Sequence, residues 1–196
     1  MDNPPIPAIL SGMKHDSDIV IVGGGLNGPA LALALAQSGL SVTIVDALPE
    51  PVRKNAAFDG RAYALALASV RLLRAIGLWD TIAAQTQPML EIKVSDGRAG
   101  DGPLSPFLLH FEHAELEEGP MGHMCEDRVL RPALLDAMKK TSGITQISGD
   151  AVTTQTIEAG GTQLTLASGK LKLSSKQCPR DARNTANASS IGRDFR

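Results

Sequence analysis

A chain of 196 residues holds one sizeable domain, or one domain and part of another. With 43% hydrophobic and 20% charged residues, its composition is that of a folded globular protein and excludes a disordered one. A net charge of -2 excludes the global basic field that nucleic acid or anionic lipid would attract. One tryptophan and one tyrosine argue against a base-stacking surface, and two cysteines, Cys125 and Cys178, are too few for a disulfide framework, which suits a reducing compartment.

Residues 1–17 are rich in proline and lack the basic start of a secretory signal, so they read as a flexible extension. The segment Ile19–Asp46, "IVIVGGGLNGPALALALAQSGLSVTIVD", comes next, and it carries no charge before its last residue. Its length and hydropathy would suit a membrane span, but its detail does not. Ile19–Val22 is a short β-branched run typical of a buried parallel strand, and three glycines then weaken any helix while favouring a tight turn. Pro29 fits the first turn of a helix, Ala30–Gln37 continues it, Gly39 stops it, and Ser41–Val45 reads as a second strand.

Within that strand–turn–helix–strand unit, Gly23, Gly25 and Gly28 have the G-x-G-x-x-G spacing. Gly23 permits the sharp turn, Gly25 lets the backbone approach a diphosphate, and Gly28 lets the helix pack closely on the sheet. Free N–H groups and the helix dipole then favour an anion at the helix start. Asp46, closing the second strand, stands where a carboxylate accepts hydrogen bonds from an adenosine ribose. The competing reading is a glycine-rich turn with no ligand.

After Asp46 comes a loop. "RAYALALASVRLLRAIGLWDTIAAQ" then reads as helical, with Leu65, Ala68, Leu72 and Ile76 near one stripe. Gly77 marks a stop before a short helix around Asp80–Gln85. The next strands are expected at Leu90–Ser95 and Phe107–His113, joined by a turn containing Asp96 and Asp101. The simplest nicotinamide dehydrogenases place their third strand much sooner. In "HFEH", His110 and Glu112 fall on one strand face and His113 on the other, so these three are not expected to converge on a metal. His123 and Cys125 share a strand face, and Cys125 reads as a small buried hydrophobe. A helix over Leu130–Lys140, a strand in "GITQIS" and a hairpin turning at Gly160 and Gly161 follow. From about Leu171 the text loses apolar periodicity and reads as a disordered or out-of-frame tail.

Four segments in order, "DIVIVGGGLNGPALALALAQSGLSVTIVDA", "DGRAYALALASVRLLRAIGLWD", "EIKVSDGRAG" and "CEDRVLRPALLDAM", resemble the flavin-dependent aromatic hydroxylases, in particular the ubiquinone-biosynthesis hydroxylase branch. The resemblance covers about Asp18 to Met138. It implies an α/β, Rossmann-like FAD-binding domain over residues 18–170, interrupted at about 89–115 by the first strands of a β-rich substrate domain. It also implies FAD in the Gly23–Gly28 turn and Asp46 on the adenosine ribose. Arg61 of the "DGRA" segment would lie near the flavin and its diphosphate, and Arg131 together with Arg128 would reach the cofactor from the helix "RVLRPALL".

In such enzymes NAD(P)H reduces the flavin and one oxygen atom of dioxygen passes to an electron-rich ring. The substrate of this branch is a polyprenylated phenol, which implies a cytoplasmic protein with peripheral contact to the inner membrane, in company with other ubiquinone-biosynthesis proteins. No catalytic side chain and no metal ligand are implied. The Ala-Asp-Gly and Gly-Asp motifs that follow in the relatives are missing here, so the expectation is an N-terminal part of the enzyme, inactive alone. Two other readings stay open on the residues: a nicotinamide-dependent oxidoreductase built on the same unit, and a non-catalytic dinucleotide-binding fragment.

Overall fold

The computed structural model describes residues 16–54, 57, 59–95, 108–115, 119–158, 161–169 and 172–176. Strand β1 (Ile19–Val22), helix α1 (Asn27–Gln37) and strand β2 (Val42–Asp46) form the expected unit, with β1 parallel to β2 in the register Ile19 to Val42. Their edge is locked by a reciprocal pair: Ser41 N–H and its hydroxyl donate to the Asp18 carboxylate, and Asp18 N–H donates to Ser41 Oγ. Ser17, assigned by the sequence to the extension, is already buried and donates its hydroxyl to Ile19 O. Residues 1–15 lie outside the described residues.

The central strand is β2, because β8 (Ile144–Ser148) pairs along its other edge, also parallel. That placement accounts for the run Val42–Val45 being buried along its whole length. One face of this sheet, through Ile21, Val42 and Ile44, packs on Ala32 and Leu33 of α1 and on Leu134, Leu135 and Met138 of α5 (Asp127–Lys140). The other face packs Val45 against Leu164 and Leu166 of a β-hairpin, β9 (Val152–Glu158) with β10 (Gly161–Leu166). Period-two alternation within β1 and β2 thus feeds two separate cores, helical on one side and β on the other. The hairpin's expected turn residue Gly160 lies outside the described residues, while Gly161 pairs with Glu158.

Two further helices close the helical core. Helix α3 (Leu67–Ala75) buries Val70 and Leu73, and the short α4 (Trp79–Ile82) buries Trp79 and Ile82, with Gly77 at φ 73° making the turn between them. A four-residue helix, α2 (Glu50–Arg53), follows β2 directly.

Two expectations fail. The segment read as one helix from Arg61 opens as a strand, β3 (Ala62–Ala66), antiparallel to β7 (Gly122–Glu126), which also pairs with β4 (Gln87–Met89). Tyr63 and Leu65 point inward and Ala62, Ala64 and Ala66 outward, a period-two pattern obscured by the high helix propensity of alanine. The proposed stripe shifts with it: Leu72 is 46% exposed, and Val70, Leu73 and Ile76 form the buried row. The second lies at the start of the segment read as a disordered or out-of-frame tail, where Lys172–Lys176 is ordered as β11, antiparallel to β10. Ladder hydrogen bonds to an available strand edge need no apolar periodicity in the added strand. Residues 177–196 lie outside the described residues.

The remaining pair, β5 (Glu91–Ser95) with β6 (Leu108–Glu112), is antiparallel, and the expected turn with Asp96 and Asp101 lies outside the described residues. Ile92, Val94, Leu109 and Phe111 share one face of it and are all exposed.

Leu135, with no exposed surface, sits where α5 meets the helical core. Leu135→Ala is expected to cost about 3 kcal/mol by urea denaturation, and an unchanged midpoint would contradict this placement of the core.

Candidate dinucleotide site

The turn after β1 is built by three different physical demands on its glycines. Gly23 has φ 108°, a conformation that disfavours side chains, and its N–H donates to Val45 O at 2.8 Å, closing the turn onto β2. A Cβ at Gly28 would lie 2.0 Å from Gly23 O, so α1 can approach the strand end only with glycine there. A Cβ at Gly25 would meet nothing within 4 Å, because this residue faces open space. The start of α1 has no side-chain cap and no acidic residue in its first turn, which leaves its first N–H groups available.

That open space is a cleft of about 660 Å³. Gly23, Gly25, Asn27 and Gly28 line its floor, Val22 and Leu31 give it an apolar flank, and Tyr63 and Arg131 line the opposite side. Asp46 lies behind the turn: its Oδ2 accepts the Gly24 N–H and its Oδ1 accepts the Leu48 N–H at 2.7 Å.

Opposite the turn, Asp127 opens α5 with a carboxylate that is almost wholly buried. Arg131, one helical turn on, donates to it through Nε at 2.9 Å and Nη2 at 2.6 Å, and Tyr63 donates its phenolic hydroxyl at 2.8 Å. Arg61 Nη2 stands 3.5 Å from the same carboxylate, and Arg61 O accepts the Asp127 N–H. The Arg131 hydrogen bonds, helped by Tyr63 and by the charge of Arg61, hold the Asp127 carboxyl below its usual range against the opposing effect of burial. Asp59 pairs with the solvent side of Arg61, so these four charges sum to zero. Anion attraction in the cleft therefore rests chiefly on the uncapped helix start, with Arg131 as a cation on its wall.

Of the residues singled out in the sequence, Gly23, Gly25, Gly28 and Arg131 share the cleft. Asp46 is tied to it through Gly24, and Arg61 through Asp127. Arg128 stands apart from the cleft lining, about half exposed, with its Nε on the Glu126 carboxylate. Sequence reasoning missed Gly24, Arg53, Tyr63 and Asp127. The Asp127–Arg131 spacing of four was an available signal, whereas nothing local marks Arg53.

Other clusters of titratable side chains lie outside the cleft lining. β6 ends at Glu112 and His113 opens a short 3-10 turn, so the strand alternation expected for it does not apply. Glu91, directly across from Glu112, lies with His110 and Glu112, their ligand atoms within 4.8 Å of one another. All three are exposed, and Lys93 Nζ already stands 2.6 Å from Glu91. His123 Nδ1 shares a hydrogen bond of 3.0 Å with Thr86 Oγ1, its ring edge meets Trp79, and burial depresses its pKa. Cys125 is buried, and burial with the nearby acids pushes its thiol up to about 11.

A thiol so placed is poorly nucleophilic. In a Cys178→Ser background, Cys125 is expected to resist iodoacetamide at pH 8 until denaturant is added; fast labelling of the folded chain would contradict its burial. For Asp127, the lowered folded pKa means its contribution is complete above about pH 4, the unfolded value, and is lost as pH falls through the folded value. The stability gap between wild type and Asp127→Asn is therefore expected to shrink below about pH 4 in urea titrations. A gap that grows with acid would refute the linkage.

Residues 16–167 match the model of the FAD binding domain family. Over 154 residues the chain is 41% identical to the ubiquinone hydroxylase UbiL of Rhodospirillum rubrum, covering 79% of this chain and 34% of that protein. Over 134 residues it is 35% identical to the 3-demethoxyubiquinol 3-hydroxylase of Escherichia coli, covering 67% of this chain and 32% of that one. Among solved structures, the flavin-dependent monooxygenase PieE, in complex with FAD and substrate, shares the fold at TM-score 0.61 and 19% identity over 84% of this chain and 30% of its own. PqsL of Pseudomonas aeruginosa does so at TM-score 0.59 and 19% identity, over 83% and 41%. The chain spans about a third of the length of the curated relatives it matches. With residues 16–167 of its 196 matched, the chain belongs to the FAD binding domain family.

Proposed function

We propose that this chain is the adenosine-diphosphate-holding part of an FAD- and NAD(P)H-dependent monooxygenase that hydroxylates a polyprenylated phenol in ubiquinone biosynthesis. The observation that carries the reading is the cleft at the uncapped start of α1, floored by Gly23, Gly25 and Gly28 and walled by Arg131. The names of the relatives supply the substrate class.

The residues present fit the group. Gly25 offers backbone without a side chain in the way, and the N–H groups that open α1 can receive diphosphate oxygens. Asp46 has carboxylate lone pairs left for ribose hydroxyls, since each oxygen accepts one backbone N–H. Arg131 is held in its rotamer by Asp127 and presents its remaining donors to the cleft. Arg61 lies beside this wall, paired with Asp59 and 3.5 Å from Asp127, while Arg128 would reach a ligand only by leaving Glu126.

When bound, FAD supplies the redox chemistry, taking a hydride from NAD(P)H and activating dioxygen for transfer of one oxygen atom to an electron-rich ring. The described residues bind and orient, and none is assigned to catalysis. The apolar face of β5 and β6 fits the beginning of a sheet that covers a greasy substrate. Among the described residues no helix is long and apolar enough to cross a membrane. In the proposed reading a lipid substrate is met by peripheral contact at the cytoplasmic face of the inner membrane, alongside other enzymes of the pathway, because the relatives are named as ubiquinone-pathway hydroxylases.

If the adenosine half is what this chain holds, ADP should bind within about tenfold of FAD by calorimetry, and FMN should not compete. The chain should purify colourless, turn over no phenol, and bind FAD only when it is added. Neither FAD nor ADP binding at millimolar concentration would overturn the reading, as would a yellow preparation that FMN restores after stripping. NADH binding more tightly than FAD would favour a nicotinamide enzyme.

A further inference from the structure

Arg53, at the end of the four-residue helix α2, is 6% exposed, an unusual burial for a guanidinium. Its Nη1 donates to Gly24 O at 3.2 Å, and its Nη2 donates to Ser148 Oγ at 2.6 Å, at the end of β8. Its Nε faces Asp46 Oδ1 at 3.6 Å, within ion-pair range, and makes no hydrogen bond. Asp46 meanwhile accepts the Gly24 N–H. Gly24 is thus gripped at both polar groups, its N–H by the carboxylate and its carbonyl by the guanidinium. The grip also explains a third adjacent glycine: a Cβ at Gly24 would lie 2.2 Å from Arg53 Nη1 and 2.9 Å from Asp46 Oδ2.

The described chain has no cis peptide bond, so the Gly24–Gly25 unit is trans. In a planar trans peptide the carbonyl of one residue and the N–H of the next point in opposite directions. Fixing the Gly24 carbonyl inward on Arg53 therefore turns the Gly25 N–H outward, at the residue that lines the cleft and faces open space. Stability alone does not explain the arginine, because a buried ion pair commonly stabilises no better than apolar residues of similar volume. Its placement against the phosphate turn does.

We propose that Arg53 is a positioning residue: it orients the Gly25 N–H toward the diphosphate of the bound dinucleotide and preforms the turn before ligand arrives. This rests on the dinucleotide reading of the cleft. Arg53 is not among the residues that line the cleft; it acts through the Gly24–Gly25 peptide.

The test uses the whole 196-residue chain with ADP as the probe, measuring affinity by calorimetry well below each variant's melting temperature. Arg53→Met is expected to weaken ADP binding by at least about tenfold, with Arg53→Lys recovering part of it. Ser148→Ala, which removes one guanidinium partner and leaves Asp46 untouched, is expected to weaken it by about threefold. The Gly25 amide resonance should move in unliganded Arg53→Met. A structural role alone would lower the melting temperature and leave affinity and the Gly25 resonance unchanged. If Arg53→Met fails to fold, Arg53→Lys and Ser148→Ala decide, and unchanged affinity in both overturns the proposal. Wild type that binds no ADP overturns the dinucleotide reading and this inference together, whereas wild-type binding with unaffected variants overturns only the role of Arg53.

Discussion

The absence of a side chain at Gly28 is the constraint on which the site depends. A single Cβ there would fall 2.0 Å from Gly23 O, far inside any tolerated contact, and α1 would have to move away from the end of β1. That close approach seats Ala32 and Leu33 on Ile21, Val42 and Ile44, which makes the helical core. It also brings the uncapped helix start to the mouth of the turn, where its partial positive charge faces the cleft. Packing and the proposed ligand recognition thus place the same demand on one residue.

Around that contact the structure spends its polar groups on holding backbone still. Asp46 receives the N–H groups of Gly24 and Leu48, and Gly23 closes back on Val45 O. Across the cleft, Asp127 gathers Tyr63, Arg61 and Arg131, fixing β3 against the start of α5. The balance of charge there matters: with Asp59 and Asp127 set against Arg61 and Arg131, the wall carries little net charge. Under the proposed reading, recognition of a diphosphate would rely on directed N–H groups more than on a diffuse positive field, and directed groups work only if the turn is rigid.

The parts of this that were legible in the sequence are those governed by local chemistry. Ile19–Val22, the glycine turn, Pro29 in the first helical turn, and the β-branched run ending at Asp46 each carry a local steric or burial signal, and each was placed correctly. The parts that were not legible depend on partners distant in sequence. Ala62–Ala66 is alanine-rich and helix-prone, and only pairing with Gly122–Glu126, some sixty residues on, makes it a strand. Lys172–Lys176 has no pattern of its own and is recruited by the edge of β10. Arg53 meets Gly24 and Ser148, which are 29 and 95 residues away, so no window of sequence reveals it.

The most direct measurement is the perturbation of backbone amide resonances when ADP is added to the isotopically labelled chain. The largest shifts are predicted at Gly25, Leu26 and Asn27, with smaller ones at Asp46 and Arg131 and none on the β5–β6 pair. Shifts concentrated away from the start of α1, or saturable binding that leaves the Gly25 amide unmoved, would contradict the placement of the dinucleotide at this turn.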